Sequence, residues 1–381
     1  MTRRITMSKV KAAVMVEPGK IEIQNFPRPK IADDALLLRV DQLGICGSDK
    51  HMYQGHTSLK FPVIPGHEVT GTVEEIGPLA NEVMKVVGGP IKVGDKIAVA
   101  PGSHGCGKCY FCLHTPHRPA LCTNRIIYGF SNCENPPYLV GNAAQYTYVH
   151  NRSWIFKIPA EIPEKIRVLV EPAAVATRAV ERCFAPSVPQ VGAGYGIGKR
   201  VAVLGAGPIG LLVVAALRYT GAGLIISTDI VESRLNMAKK MGADVTINVG
   251  KTTLKERIEQ VQQLTDGVGA DIVIEGAGIP SVFAEAIELV RRGGKVIELG
   301  HYCDSGEVSV NPHVICRKDI DILAVWSYPQ IQFATALEFL RRTQAPLEEL
   351  VTHYLPLEKF EDGIKMLGAE GVYKVVVEPN K

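Results

Sequence analysis

The sequence predicts an α/β plus β architecture: a β-rich part followed by a doubly wound parallel sheet. Two observations carry this. Ahead of about residue 170, short strand-like segments are separated by Gly and Pro. After it, strands alternate with helices of ten or more residues, the pattern of parallel βαβ units. The length agrees, since 381 residues hold two domains at ~150 residues each.

The first part contains strand-like segments at Lys11–Val16, Ala35–Val40, Val69–Val73, Lys96–Ala100 and Tyr146–Val149, spaced as in a barrel-like unit. Arg200–Leu204 then reads as a buried strand leading into a helix that runs to about Tyr219. Leu224–Thr228 is a strand, and Glu232–Met241 a helix ended by Gly242. Further strands are expected at Val245–Ile247, Asp271–Glu275, Lys295–Glu298 and Ile320–Val325, with a helix over Ser281–Arg291. A helix over Gln330–Arg341 and a strand over Tyr373–Val377 close the chain.

Composition excludes several classes. With 46% hydrophobic and 21% charged residues, the chain has enough apolar surface to fold. A net charge of +3 is too small for a general phosphate-binding face, so no nucleic-acid partner is expected. The longest apolar run, Ile209–Leu217, is far short of the ~20 residues of a membrane span. Met1–Met7 lacks the apolar core of a signal peptide, which makes the cytoplasm the default compartment. Nine cysteines in a reducing compartment are read first as metal ligands rather than disulfides.

Two motifs carry chemistry by themselves. Gly205-Ala-Gly207-Pro208-Ile209-Gly210 joins a strand to a helix. Its glycines allow a tight turn, close approach of a pyrophosphate and helix packing, while the helix N-terminus supplies positive potential. Asp229 ends the next strand, 24 residues after Gly205. A carboxylate there accepts from a ribose diol and repels a 2′-phosphate, favouring NAD over NADP. Arg234 is either a phosphate contact or an exposed helical arginine. The stretch Gly192–Gly198 has the wrong spacing and reads as a flexible loop. The second motif packs Cys106, Cys109, Cys112 and Cys122 into seventeen residues. Four thiolates close a tetrahedral zinc shell and leave no substrate position, so this site is expected to be structural.

A dispersed set remains: Cys46, His67, Glu68 and Glu171. One thiolate, one imidazole and a carboxylate would make an incomplete zinc shell, but spacing alone does not unite them. Resemblance does. Gly66-His-Glu-Val-Thr-Gly71, Val93-Gly-Asp95, the four-cysteine loop, Gly141–Tyr146 and Gly205–Gly210 occur in the order seen in zinc-dependent medium-chain dehydrogenases, the alcohol dehydrogenase superfamily. The resemblance covers nearly the whole chain. Gly44-Ile-Cys-Gly-Ser-Asp49 and Val170-Glu-Pro172 are most similar to the polyol (sorbitol) and threonine dehydrogenase branch.

The resemblance implies a GroES-like catalytic domain over 1–170 and 326–381, an inserted Rossmann domain over 171–325, and an active site in the cleft. It assigns Cys46, His67 and a glutamate, Glu68 or Glu171, to catalytic zinc. Ser48 and His51 match relay positions that carry the hydroxyl proton through the cofactor ribose. It also implies a homodimer or homotetramer, with Glu307–Val310 as a contact edge. Met52, Tyr53, Trp326 and Tyr328 are candidate pocket lining. Three departures stand out: two extra residues between Cys112 and Cys122, a long stretch from Pro78 to Pro90, and the Asn132–Tyr138 loop. Cys133, Cys183, Cys303 and Cys316 receive no role. The expected activity is hydride transfer between a small-molecule secondary alcohol or polyol and NAD. The alternatives are a threonine- or amino-alcohol-type dehydrogenase and a non-catalytic NAD-binding protein.

Overall fold

Strand Leu36–Gly44 is buried along almost its whole length and organises the β-rich unit. It pairs antiparallel with Glu68–Ile76, placing Gly44 opposite Glu68, and its first residues pair with Tyr146–Val149. At its other end the last strand of the chain, Lys374–Val377, adds on antiparallel, with Val351–Leu355 beyond it. Gly71 has no side chain because a Cβ there would strike Arg39 O and Leu38 across the pair. Aliphatic side chains from these strands and from Lys9–Glu17, Lys96–Val99 and Trp154–Lys157, including Val14, Leu38, Leu43, Val99, Ile155 and Val375, fill one core.

The computed structural model describes residues 9–184 and 196–381. Met1–Met7 and the Gly192–Tyr195 portion of the glycine-rich stretch lie outside them. Among the described residues no helix is long and apolar enough to cross a membrane. The chain divides into two units: residues 9–171, 329–337 and 351–381, and residues 172–184, 196–328 and 338–350. The segment 338–350, expected with the β-rich domain, groups instead with the Rossmann unit. Its Phe339 is buried, edge-on to Tyr219 at the end of helix Pro208–Tyr219.

The second unit holds a six-stranded sheet in the order Val245–Asn248, Leu224–Asp229, Arg200–Leu204, Ala270–Glu275, Val290–Glu298, Asp321–Ala324. All of its pairings are parallel. The order reverses at Arg200–Leu204, which puts the switch point where the fingerprint turn leaves the sheet. Val201–Leu204 and Ala270–Glu275 are buried throughout, as expected of strands covered on both faces. Helix Glu232–Met241 stops at Gly242, whose φ of 114° supplies the left-handed cap.

Among the segments that differ from the sequence expectation, two are instructive. Lys20–Pro27 is an additional strand, hairpinned onto Lys9–Glu17 through Gly19 at φ 79°. Its apolar positions, Ile21 and Ile23, are only partly covered, so the segment lacks a buried-strand signature. The helix expected over Ser281–Arg291 spans Pro280–Leu289, and the next strand begins at Val290. Val290 already pairs with Ala270 ahead of a register shift, so Arg291–Gly294 lies within the strand.

A buried ion pair braces this unit. Arg257 donates to both Glu285 oxygens at 2.7 and 2.6 Å, the side chains being 9% and 8% exposed. Arg257→Met strands a buried carboxylate and is expected to lower stability by about 3–5 kcal/mol. Arg257→Met/Glu285→Leu removes both charges and is expected to recover most of that loss. Urea unfolding followed by far-UV circular dichroism checks both; equal loss in single and double variants would refute the stranded-charge account.

Candidate active site

Cys46 caps the helix Gly47–Tyr53 in an extended conformation. Asp49, in the first turn of that helix, is fully buried. One of its oxygens accepts from Cys46 N at 2.9 Å and the other from Gly66 N at 3.2 Å. One carboxylate thus fixes two loops twenty residues apart. Gly66 has φ 90°, and a Cβ there would lie 2.7 Å from Leu43 Cδ2. The turn at Gly66 delivers His67 and Glu68 beside Cys46: the three side chains each offer a ligand atom within 4.8 Å of the others.

Glu68 does not stand alone. Lys374 Nζ donates to both its oxygens at 2.7 and 2.6 Å, and the pair is buried. Glu171, in the first turn of helix Val170–Cys183, is 6% exposed, and its charge acts on His67 and Lys374. Burial opposes a charge on His67, but the Cys46 sulfur, Asp49 and Glu171 outweigh it and hold the imidazole well above its ordinary range. His67 Nδ1 is buried without a hydrogen-bond partner, 3.9 Å from Asp49. A thiol, a buried imidazole and carboxylates with excess negative charge form a donor set that fits zinc with an open coordination position.

The four-cysteine loop is of another kind. Cys106 Sγ lies 4.0 Å from Cys112 Sγ, and Cys109 Sγ 3.9 Å from Cys122 Sγ. A zinc tetrahedron with 2.3 Å bonds has sulfur–sulfur edges of about 3.8 Å, so the four sulfurs sit nearly in place for a closed shell. Backbone amides of Cys106 and Asn124 donate to Cys122 Sγ. The Asn124 amide, with further hydrogen bonds, pulls the Cys106 thiol down to about 5. A 3₁₀ turn, Pro119–Leu121, leads directly into Cys122.

At the fingerprint, Gly205 has φ 99° and a Cβ would meet Ala277 N at 2.9 Å. A Cβ on Gly210 would overlap Gly205 O, whereas one on Gly207 would meet nothing within 4 Å. Gly207 caps the helix Pro208–Tyr219, with Pro208 in its first turn and Ile209 following. Open space over a helix N-terminus is a cradle for a pyrophosphate. Asp229 accepts from Ala206 N at 2.8 Å and Val231 N at 2.9 Å. Arg234 Nη1 lies 3.9 Å from it. A carboxylate with about four acceptor sites retains capacity for a ribose diol.

Residues 32–160 match the family model for an alcohol dehydrogenase GroES-like domain, and residues 208–342 that for a zinc-binding dehydrogenase. The sorbitol dehydrogenase of Bacillus subtilis is 32% identical over 378 residues, 98% of each chain. The chain belongs to the zinc-dependent alcohol dehydrogenase family. D-arabinitol dehydrogenase 1 of Uromyces fabae is 30% identical, over 96% of this chain and 95% of that one. An alcohol dehydrogenase structure from Thermotoga maritima superposes with a TM-score of 0.88 at 28% identity, over 98% of this chain and all of that one. Zinc and NAD(H) are the cofactors that fit this alcohol dehydrogenase.

Sequence reasoning passed over Asp49 and Lys374. Asp49 stood in the Gly44–Asp49 motif without a role, and nothing near Lys374 in the chain signals its partner. A further group lies at the strand ends of the Rossmann sheet. His301 Nδ1 is 2.8 Å from Glu298 and 3.5 Å from the buried Glu275. Burial first, and Glu298 next, push the Glu275 carboxyl up to about 7. Of the candidate pocket residues, Met52 is fully buried in the β core. Tyr53 donates to Glu361 at 2.6 Å, Tyr328 is buried and Trp326 is exposed. Glu307–Val310 forms no strand within the chain.

The glycines separate two effects. Gly207 has φ −70°, open to any residue, so Gly207→Val is expected to fold normally. It should weaken NADH binding about 100-fold by covering the helix N-terminus, a loss of roughly 3 kcal/mol. Gly210→Ala is expected to lower thermal stability as well. NADH fluorescence titration beside thermal melts checks the pair; undiminished NADH binding in Gly207→Val would remove the cradle.

Proposed function

We propose that the chain oxidises a secondary alcohol or polyol to the ketone with NAD as hydride acceptor. The observation that carries this is Ser48. Its hydroxyl is buried and has no hydrogen-bond partner, two residues from Cys46 and beside the charged cluster. An orphaned buried hydroxyl is costly unless a ligand completes it. Cys46 and His67 would hold the zinc. Glu68 or Glu171 would supply a carboxylate, with Lys374 competing for Glu68. Zinc, when bound, supplies a Lewis acid that lowers the pKa of an alcohol hydroxyl.

The rest falls to the chain's own groups. Ser48 Oγ would take the hydroxyl proton and His51 would be its later acceptor, with bound NAD supplying a ribose hydroxyl between them. Burial, the neighbouring His56 and Lys50 hold the His51 imidazole below its ordinary range, so it is neutral and able to accept. Gly205, Gly207 and Gly210 admit the pyrophosphate, and Asp229 selects the ribose diol of NAD over a 2′-phosphate. Arg234 faces Asp229 and would border the adenosine side. Cys106, Cys109, Cys112 and Cys122 would hold a structural zinc. The likeness to sorbitol and D-arabinitol dehydrogenases supports a polyol substrate. The cysteines form no disulfide among the described residues, which supports a reducing, cytoplasmic setting, and the family resemblance supports a homodimer or homotetramer.

Cys46→Ser is expected to abolish turnover and remove one of two bound zinc ions, leaving NADH affinity unchanged. Metal analysis, NADH titration and initial rates on a panel of polyols, diols and amino alcohols, each with NAD and NADP, check this. Full activity in Cys46→Ser would overturn the zinc assignment. NADP preferred over NAD would overturn the role of Asp229.

A further inference from the structure

His51 has a second imidazole beside it. His51 Nδ1 lies 3.2 Å from His56 Nδ1, with the ring centroids 5.5 Å apart and tilted 45°. The backbone fixes the pair, because His56 N donates to His51 O at 2.9 Å just past the end of helix Gly47–Tyr53. His51 is half-buried and His56 exposed. Two neutral imidazoles at this distance form a hydrogen bond only if one Nδ1 carries the proton and the other does not. His51 Nδ1 is committed to His56, which leaves Nε2 as the atom that can receive a proton. The surrounding charges are few. Lys50 is anchored to Leu367 O at 2.6 Å. From helix Phe360–Met366, which packs against this one, Glu361 and Lys365 pair with each other beside Tyr53.

We infer that His56 is a second member of the proton relay, carrying the proton from His51 to bulk water. The inference rests on the relay reading of Ser48 and His51. In the transfer, a proton arrives at His51 Nε2 while the Nδ1 proton of His51 moves to His56 Nδ1. The His56 imidazolium so formed releases its Nε2 proton to water or buffer. No net charge is left on the pair, and both rings return to their starting tautomers by exchange with water. His56 acts through His51 and touches neither substrate nor cofactor. Its exposure suits it to buffer access, which a half-buried His51 has only in part.

The test compares His56→Gln, His51→Gln and the double variant in the zinc-loaded enzyme, at low buffer concentration across about pH 5.5–7.5 (one unit on either side of the ordinary histidine value). His56→Gln is expected to lower kcat about 10-fold in dilute buffer, with KM and NADH affinity unchanged. Added imidazole should restore the rate. The double variant should be no slower than His51→Gln alone. Nitrogen-15 NMR supplies a readout apart from turnover: removing His56 and its charge should move the His51 titration midpoint upward. An unchanged rate in His56→Gln, with His51→Gln impaired, would overturn the role of His56 and leave the relay standing. A rate loss that imidazole does not rescue, with His51 titrating as before, would make His56 merely structural and also overturn it. If His51→Gln were as active as the parent at every pH, the relay reading itself would fall.

Discussion

The buried pair of Lys374 with Glu68 is the constraint on which the catalytic unit hangs. The partners are 306 residues apart, and neither charge is tolerable in the interior without the other. Glu68 opens the strand that follows the turn at Gly66, and Lys374 opens the last strand of the chain. Forming the pair therefore brings the C-terminus back to the sheet that carries Cys46 and His67. Gly44 makes room for it, since a Cβ there would collide with the Glu68 carboxylate. Asp49 works at shorter range, accepting from both ligand loops. Between them, one long-range charge pair and one buried carboxylate place a cysteine and a histidine that the sequence leaves twenty-one positions apart.

The same site is electrostatically unfinished. Cys46, Asp49, Glu68 and Glu171 offer negative charge, and within the chain Lys374 answers it along with a proton drawn onto His67. A divalent cation bound there would remove the need for that proton, because an imidazole ligates as the neutral base. The four-cysteine loop reaches a similar end by different means. There the ligands lie on a partly exposed loop, and amide hydrogen bonds to sulfur share the charge of thiolates. One site is buried, mixed in donors and short of a ligand, which suits turnover. The other has four like donors already spaced as a tetrahedron, which suits holding a loop.

What could be read from the sequence follows how local each signal is. The strand Arg200–Leu204, the fingerprint turn and the helix stopped by Gly242 are written in consecutive residues, and the structure has them where the pattern puts them. Lys20–Pro27 escaped notice because half of its apolar face is uncovered, so burial never sharpened the alternation. Met52 looked like pocket lining from its nearness to Cys46, yet helix geometry turns it into the core. The pairing of Lys374 with Glu68 leaves no trace in local sequence: a lysine ahead of three valines reads as a strand end facing solvent. The grouping of Cys46, His67 and Glu68 was legible only through resemblance, since three dispersed residues have no periodicity to betray them.

Asp229 ties the proposed adenosine site to the fold. Each of its oxygens already accepts one backbone amide, from Ala206 in the fingerprint turn and from Val231 beyond the strand. The first bond ties the ribose-reading carboxylate to the phosphate-binding turn, so the two halves of an adenosine site keep their spacing without a ligand present. A carboxylate so held cannot swing away from an incoming 2′-phosphate. Arg234 Nη1 stands 3.9 Å from it, outside hydrogen-bond distance. On the proposed reading, discrimination against NADP would rest on a side chain the backbone has immobilised, stiffer than a freely rotating aspartate.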